Sequence, residues 1–273
     1  MLRASDLWFA YDKAPVLRGV SVDVPDGGVL GILGPNGSGK TTLLRILAGT
    51  RQPQSGTVML DDAPLSSWSR GSLARRMAVV PQETQLAFDY TVAEVTMMGR
   101  YPHLGAFEIE GPADIAIIDD ALAATGTRQL KDRLFATLSG GEKQRVVIAA
   151  ALAQIAADSG GRKAESGTRR AEGGFLLLDE PTASLDLGYQ LEVASLLRRL
   201  HGERGVTILI STHVLCLAGT LCDRLLIVRA GEVIASGETD AVLTKEHVRA
   251  AFGVDADIIQ RSGKRIVVPL GPA

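Results

Sequence analysis

Residues 29–42 read VLGILGPNGSGKTT, and their reading decides the fold. The first five are apolar or glycine and form a short buried strand. Residues 40–49, KTTLLRILAG, carry helical spacing that Gly49 ends. Between strand and helix, residues 34–42 match G-x-x-x-x-G-K-[ST] in the context that spacing requires. Gly34, Pro35, Asn36, Gly37, Ser38 and Gly39 make a turn whose amides can point inward at phosphate oxygens, and the helix start adds free N–H groups and a positive dipole end. Lys40 supplies a flexible cation for β- and γ-phosphates. The hydroxyl of Thr41 suits Mg2+, a cation that prefers oxygen ligands, and Thr42 follows in the first helical turn. A plain surface turn would not need this combination of spacing, residue types and flanks.

Around this centre the composition describes an α/β chain with an aliphatic core. The 273 residues are 46% hydrophobic but only 4% aromatic, enough for one domain with a subdomain. A formal net charge of −2 argues against a nucleic-acid partner, which usually meets a basic face. Cys216 and Cys222 fit neither a disulfide framework nor a zinc pattern and are expected to be buried free thiols of a reducing compartment. The start of the chain lacks a signal-peptide core, and no apolar run approaches the ~20 residues of a membrane span. The expectation is a cytosolic protein, unless a partner holds it at a membrane.

Before residue 29, LRASDLWFAY and PVLRGVSVDV alternate as two half-buried strands joined by DKAP. Beyond the first helix, MAVV is a strand. From about residue 87 to 157 the β signal fades. TVAEVTMMGRY, ADIAIIDDALAATG and GEKQRVVIAAALAQI read as helices, so an inserted helical subdomain is expected there. FLLLDE, VTILIST and DRLLIVRAG are further strands. YQLEVASLLRRLHGER and TDAVLTKEHVRAAFG are helices, and DIIQRSGKRIVVPL suits a terminal hairpin. Residues 158–174, DSGGRKAESGTRRAEGG, are polar, glycine-rich and without periodicity. A structureless stretch of that length is uncommon inside a domain. It reads as a tolerated insertion or a partner-binding loop, with Arg162, Lys163, Arg169 and Arg170 available for anionic groups.

Three other strand ends carry candidate chemistry. FLLLDE stops on Asp179 and Glu180, and ligands of open parallel sheets gather at the carboxyl ends of strands. Asp179 can reach a Mg2+ shell, and Glu180 can orient and deprotonate an attacking water. His213 closes LISTH and can hydrogen-bond a γ-phosphate or that water. Gln82, just past MAVV, can offer its amide oxygen to Mg2+.

LSGGEKQ, residues 138–144, poses a separate question. Ser139 and Glu142 have capping-box spacing, which accounts for both. It does not account for Gly140 and Gly141, each of which disfavours a first helical turn by about 1 kcal/mol. Bare backbone at a capped helix start is an anion site. Because residues 34–42 already supply one phosphate cradle, the economical reading gives this helix end to a nucleotide held by a second copy.

Taken in order, these motifs resemble the ATP-binding subunits of ABC transporters over nearly the whole chain. GPNGSGKTT resembles Walker A, LSGGE the signature, FLLLDE Walker B and ASLD, ending at Asp186, the D-loop. Gln82 resembles the Q-loop glutamine, His213 the switch histidine, and Tyr11 the aromatic residue that stacks on adenine. The resemblance implies an α/β fold: a P-loop NTPase core with a small antiparallel β subdomain and an inserted α-helical subdomain. One cassette would span 1–273, with 1–86 and 158–273 as core and β subdomain and 87–157 as helical subdomain. It implies ATP and Mg2+ as cofactors, and two copies packed head to tail so that Ser139, Gly140 and Gly141 complete the partner's γ-phosphate site. It further implies a membrane permease homodimer as partner, a periplasmic substrate-binding protein indirectly, and a position on the cytoplasmic face of the bacterial inner membrane. DNA-repair relatives insert a long coiled coil between Walker A and the signature; here that interval is under a hundred residues without sustained heptads. SSWSRGSLARRMAVVPQ and LAFDYTVAEVTMMGRYPHLG resemble importers of iron–siderophore, haem and cobalamin. The 158–174 insertion resembles the haem branch, with ferric siderophore and cobalamin as alternatives.

Overall fold

A computed structural model of the chain describes residues 1–157, 173–183, 185–261 and 264–273. In chain order its elements are β1 (Leu2–Tyr11), β2 (Ala14–Val24), β3 (Val29–Leu33), α1 (Lys40–Leu47), β4 (Ser55–Leu60), β5 (Ala63–Pro64), α2 (Arg70–Arg76), β6 (Met77–Val80), α3 (Val92–Met97), α4 (Pro112–Ala124) and α5 (Gly140–Ile155). Then follow β7 (Phe175–Asp179), α6 (Leu187–Arg204), β8 (Thr207–Thr212), α7 (Leu215–Leu221), β9 (Arg224–Arg229), β10 (Glu232–Glu238), α8 (Thr239–Val242), α9 (Lys245–Phe252), β11 (Val254–Arg261) and β12 (Lys264–Pro272). They form two compact units. One holds Met1–Trp68, Leu178–Glu180 and Ile208–Ala273; the other holds Ser69–Leu177 and Pro181–Thr207.

In the first unit, strands run in the order β10-β9-β3-β8, and the last residues of β7 lie beyond β8. β3 pairs in parallel with both β8 and β9. Such strands are covered on both faces, which is why VLGIL is buried at every position. A separate antiparallel sheet, β2-β1-β4-β5, supplies the expected β subdomain. Along β1, burial alternates until the register shifts near Asp6, whose φ is 49°. β11 and β12 pair as the expected terminal hairpin; its turn, 262–263, lies outside the described residues.

The second unit is built largely from helices. α3 starts with a full capping box, Thr91 with Glu94. Arg100 is completely buried. Its Nε donates to Asp114 Oδ1 at 2.9 Å and its Nη1 to the carbonyls of Ala153 (2.8 Å) and Ala156 (3.1 Å). One guanidinium thus joins α4 to the C-terminal turn of α5. Gln154 Nε2 donates to the carbonyls of Ala74 and Met77, tying α5 to α2 and β6. Arg204 pairs with Asp120 between α6 and α4. These bonds explain why the compact unit takes in α2, β6 and α6 around the helices of 87–157.

Several expectations need correction. TVAEVTMMGRY is helical only to Met97 and then tightens into a 3-10 stretch, Met98–His103, that contains Pro102. TDAVLTKEHVRAAFG is two helices, because Thr244 is extended (φ −116°) and caps α9 by accepting from the His247 amide. Cys222 is buried, and burial pushes its thiol pKa well up, but Cys216 is exposed. β4, β5, α2, α7 and β10 were not expected. β10 is an edge strand with no buried position, and its apolar residues, Val233, Ile234 and Ala235, form one short run without alternation. Residues 158–172 of the glycine-rich insertion, with its four basic residues, lie outside the described residues.

Removing the buried Arg100 takes its hydrogen bonds from Asp114 and from two carbonyls. Arg100→Ala should cost about 3 kcal/mol, read as a lower Tm. Asp114 is held below the usual carboxylate range: burial opposes ionisation, but the Gly111 amide and Arg100 outweigh it. A depressed folded pKa stabilises above the unfolded value and is lost as pH falls. Asp114→Asn should therefore be less stable than wild type at neutral pH, and the gap should close on acidification through the carboxylate range.

Candidate functional site

β3 and β8 align so that Leu33 lies opposite Thr212. Gly34 and His213 therefore leave the sheet at the same edge, and the Gly34 amide donates to the Thr212 carbonyl at 3.3 Å. The loop from Gly34 needs its glycines. Gly39 has φ 103°, and a Cβ there would meet the Val16 carbonyl oxygen at 2.9 Å. α1 begins without a side-chain cap, which leaves its first amides for an anion. Ser38 is 2% exposed, and its Oγ has no hydrogen-bond partner among the described residues. A buried hydroxyl costs free energy until it is paired, and a phosphate oxygen is a fitting acceptor for it.

Lys40 is buried at the centre. Its Nζ donates to the carbonyls of Gly34 (2.9 Å) and Pro35 (3.0 Å) and pairs with Glu180 Oε1 at 3.1 Å. The other Glu180 oxygen lies 3.0 Å from His213 Nδ1. A carboxylate can only accept, so Nδ1 carries the hydrogen and Nε2 keeps its lone pair when the ring is neutral. Glu180 has φ 44°, a conformation that costs a non-glycine residue about 1–2 kcal/mol. Strain of this kind persists where the surroundings overdetermine it. Asp179 Oδ1 accepts from Thr41 Oγ1 at 3.0 Å, so two of the three expected Mg2+ ligands already adjoin. Tyr11 stands beside Thr42. That hydroxyl, with the Arg51 and Arg45 guanidiniums, holds the Tyr11 phenol below its usual value. Arg51 lies 5.2 Å over the Tyr11 ring.

The structure thus gathers Tyr11, residues 34–42, Asp179, Glu180 and His213 in one unit. Gln82, Ser139, Gly140, Gly141 and Asp186 belong to the other. Gln82 is exposed just past β6. Ser139 and Glu142 form the expected capping box: the Ser139 amide donates to Glu142 Oε2 at 2.8 Å and the Glu142 amide to Ser139 Oγ at 3.3 Å. The Ser139 amide is the main reason the Glu142 carboxyl sits below its usual range. Gly141 has a reason within the chain, because a Cβ there would lie 2.2 Å from Tyr189 Cδ1. Tyr189 is fixed in turn by Asp186, whose carboxylate accepts from its amide and caps α6. Gly140 is exposed, and its Cβ would make only ordinary contact with Leu185. The close packing that explains Gly141 does not extend to Gly140. Ser184, inside ASLD, lies outside the described residues.

Sequence reasoning missed three neighbours of these sites: Ser211, Arg51 and Tyr189. Only Ser211 left a signal, as a small polar residue inside the apolar strand TILIST.

The ABC transporter family pattern matches residues 17–157. The chain belongs to the ABC transporter family. It is an ATP-binding subunit whose ATP hydrolysis is coupled to transport. The hemin import ATP-binding protein HmuV of Gloeobacter violaceus is 39% identical over 275 residues, covering 100% of this chain and 95% of that protein. The cobalamin import ATP-binding protein BtuD of Halobacterium salinarum is 39% identical over 237 residues, covering 87% of this chain and 55% of that one. A metal-chelate type ABC transporter solved in an inward-facing conformation superposes with a TM-score of 0.81 at 28% identity, over 98% of this chain and 96% of that one.

The two signature glycines should respond differently to a methyl group. Gly141→Ala should lower stability by about 1–3 kcal/mol, the usual range for overpacking. Gly140→Ala should leave stability unchanged or raise it by up to about 1 kcal/mol through helix propensity. Thermal unfolding of both variants checks this; equal losses would remove the Tyr189 explanation.

Proposed function

We propose that this chain powers the import of haem (hemin) through a membrane permease. It works as a head-to-tail dimer on the cytoplasmic face of the bacterial inner membrane. The observation that carries this reading is the likeness to hemin import ATP-binding proteins along nearly the whole of both chains. The cobalamin relative matches at similar identity but is covered over only 55% of its length. Cobalamin and ferric siderophore remain the second reading, supported by that relative and by the metal-chelate neighbour. Among the described residues no helix is long and apolar enough to cross a membrane; in this reading the permease holds the chain at the membrane. A periplasmic binding protein would deliver the cargo and meet this chain only indirectly.

In this reading Tyr11 stacks on adenine, and the backbone from Gly34 to Thr42 cradles the phosphates. Lys40 neutralises them; phosphate oxygens are competing anions for the cation that Glu180 now holds. Thr41, Asp179 and Gln82 would hold Mg2+, which when bound would supply charge neutralisation to the phosphates. Among the described residues no three acidic, histidine or cysteine side chains cluster as a metal site. The donors on offer, a hydroxyl, a carboxylate and an amide, suit a cation that keeps several waters and shares its shell with phosphate. Glu180 takes a proton from the attacking water, and His213 Nδ1–H holds the carboxylate in place. Ser139, Gly140, Gly141 and Asp186 face the nucleotide held by the second copy. The helices of 87–157 form the subdomain that receives the permease.

Glu180→Gln keeps the shape of the side chain and removes the base. Phosphate release should fall by about 100-fold or more while ATP binding persists, and gel filtration with ATP should show a dimer. Wild-type turnover would take the base role from Glu180. Cargo is tested with the permease in proteoliposomes: hemin-loaded binding protein should stimulate ATP hydrolysis, and cobalamin-loaded protein should not. The reverse pattern would replace the haem assignment.

A further inference from the structure

We infer that Ser211 is the positioning residue that sets the two Walker B acids relative to each other; this rests on the roles proposed for Asp179 and Glu180. Ser211 lies one residue before the end of β8, and its side chain is completely buried. Its Oγ donates to Asp179 Oδ1 at 2.6 Å and accepts from the Glu180 amide at 3.0 Å. A serine hydroxyl has one hydrogen and two lone pairs. Donation to Asp179 uses the hydrogen, and a lone pair receives Glu180, so the hydroxyl bridges the two acids in a single orientation.

Two features separate this contact from ordinary strand pairing. The Glu180 amide also reaches the Ser211 carbonyl at 3.1 Å, so one residue of β8 receives it twice. It does so at the point where Glu180 takes up its left-handed backbone, φ 44°. A residue in that region stays there only if its neighbours hold it. Furthermore, the Asp179 oxygen that accepts from Ser211 is the one that accepts from Thr41. Ser211 and Thr41 together fix the rotamer of that carboxylate. The Glu180 carboxylate is held separately, by Lys40 and His213. Without the Ser211 hydroxyl, the strand end that carries both acids would lose its shared side-chain anchor.

The experiment uses the full chain and compares Ser211→Ala, Ser211→Thr, Glu180→Gln and Thr207→Val. The last is a control that removes another buried hydroxyl from the same strand. Phosphate release gives kcat and KM for ATP. A fluorescent ATP analogue, titrated with Mg2+ and then with EDTA, gives the metal-dependent part of nucleotide affinity, and thermal unfolding reports the fold. Ser211→Ala should lower kcat about tenfold or more, the scale of one hydrogen bond to a charged group, with KM nearly unchanged. It should also lose most of the affinity gained on adding Mg2+ while keeping its affinity in EDTA. Ser211→Thr keeps the hydroxyl and should recover most of both. Thr207→Val should match wild type in kcat and in the Mg2+ effect. Should Ser211→Ala fail to fold, Ser211→Cys, close in volume and a weak donor, takes its place with the same expected losses.

Wild-type kcat and a wild-type Mg2+ effect in Ser211→Ala would overturn the inference, as would a Ser211→Thr variant no better than Ser211→Ala. The two layers separate cleanly. An inactive Glu180→Gln beside a fully active Ser211→Ala removes only the role of Ser211. A fully active Glu180→Gln removes the base assignment itself.

Discussion

The in-register parallel pairing of β3 with β8 is the constraint on which the phosphate site depends. Once Leu33 lies opposite Thr212, the glycine loop and His213 must leave the sheet together. The end of β7 follows, because the Glu180 amide bonds to Ser211 on β8. A slip of one residue along any of these strands would turn its side chains to the opposite face and separate Lys40 from Glu180. The apolar faces of β3, β7 and β8, each buried along its whole length, hold that register and so hold the chemistry at the strand ends.

The site concentrates opposite charges in little solvent. Lys40 and Glu180 pair with side-chain exposures of 3% and 12%. Such a pair contributes little net stability, because desolvating both ions offsets their attraction. It does keep a cation and a carboxylate ready at the centre of a loop built for phosphate. Glu180 in a left-handed conformation and Ser38 with an unpartnered buried hydroxyl point the same way. Each costs folding free energy, and both occur where a nucleotide would make use of them.

The signature helix shows how one motif can answer to two requirements. Ser139 and Glu142 cap it, and Gly141 makes room for Tyr189, which Asp186 places by capping the next helix. The starts of α5 and α6 are thus joined by a glycine and an aromatic ring. Gly140 remains exposed and without a packing reason, which agrees with a surface offered to a second molecule.

Much of this was legible in the sequence, because its determinants are local. Strand, glycine turn and lysine follow one another within residues 29–42, and the capping box spans four residues, so spacing alone names the chemistry. The apolar runs of β3, β7 and β8 announced strands of an α/β core, and the order of motifs announced the family. Elements with weak local signals stayed hidden: β10 has no buried position, and the late helix was split at Thr244 by a cap that its helical pattern concealed. Tertiary structure decided what depends on distant partners. That Ser211 bridges two acids on another strand, that Tyr189 accounts for Gly141, and that Lys40 pairs with Glu180 are facts of packing between residues far apart in the chain. The physical reason is that hydrogen bonds and close packing act over a few ångströms of space, whereas sequence spacing reports only neighbours along one element.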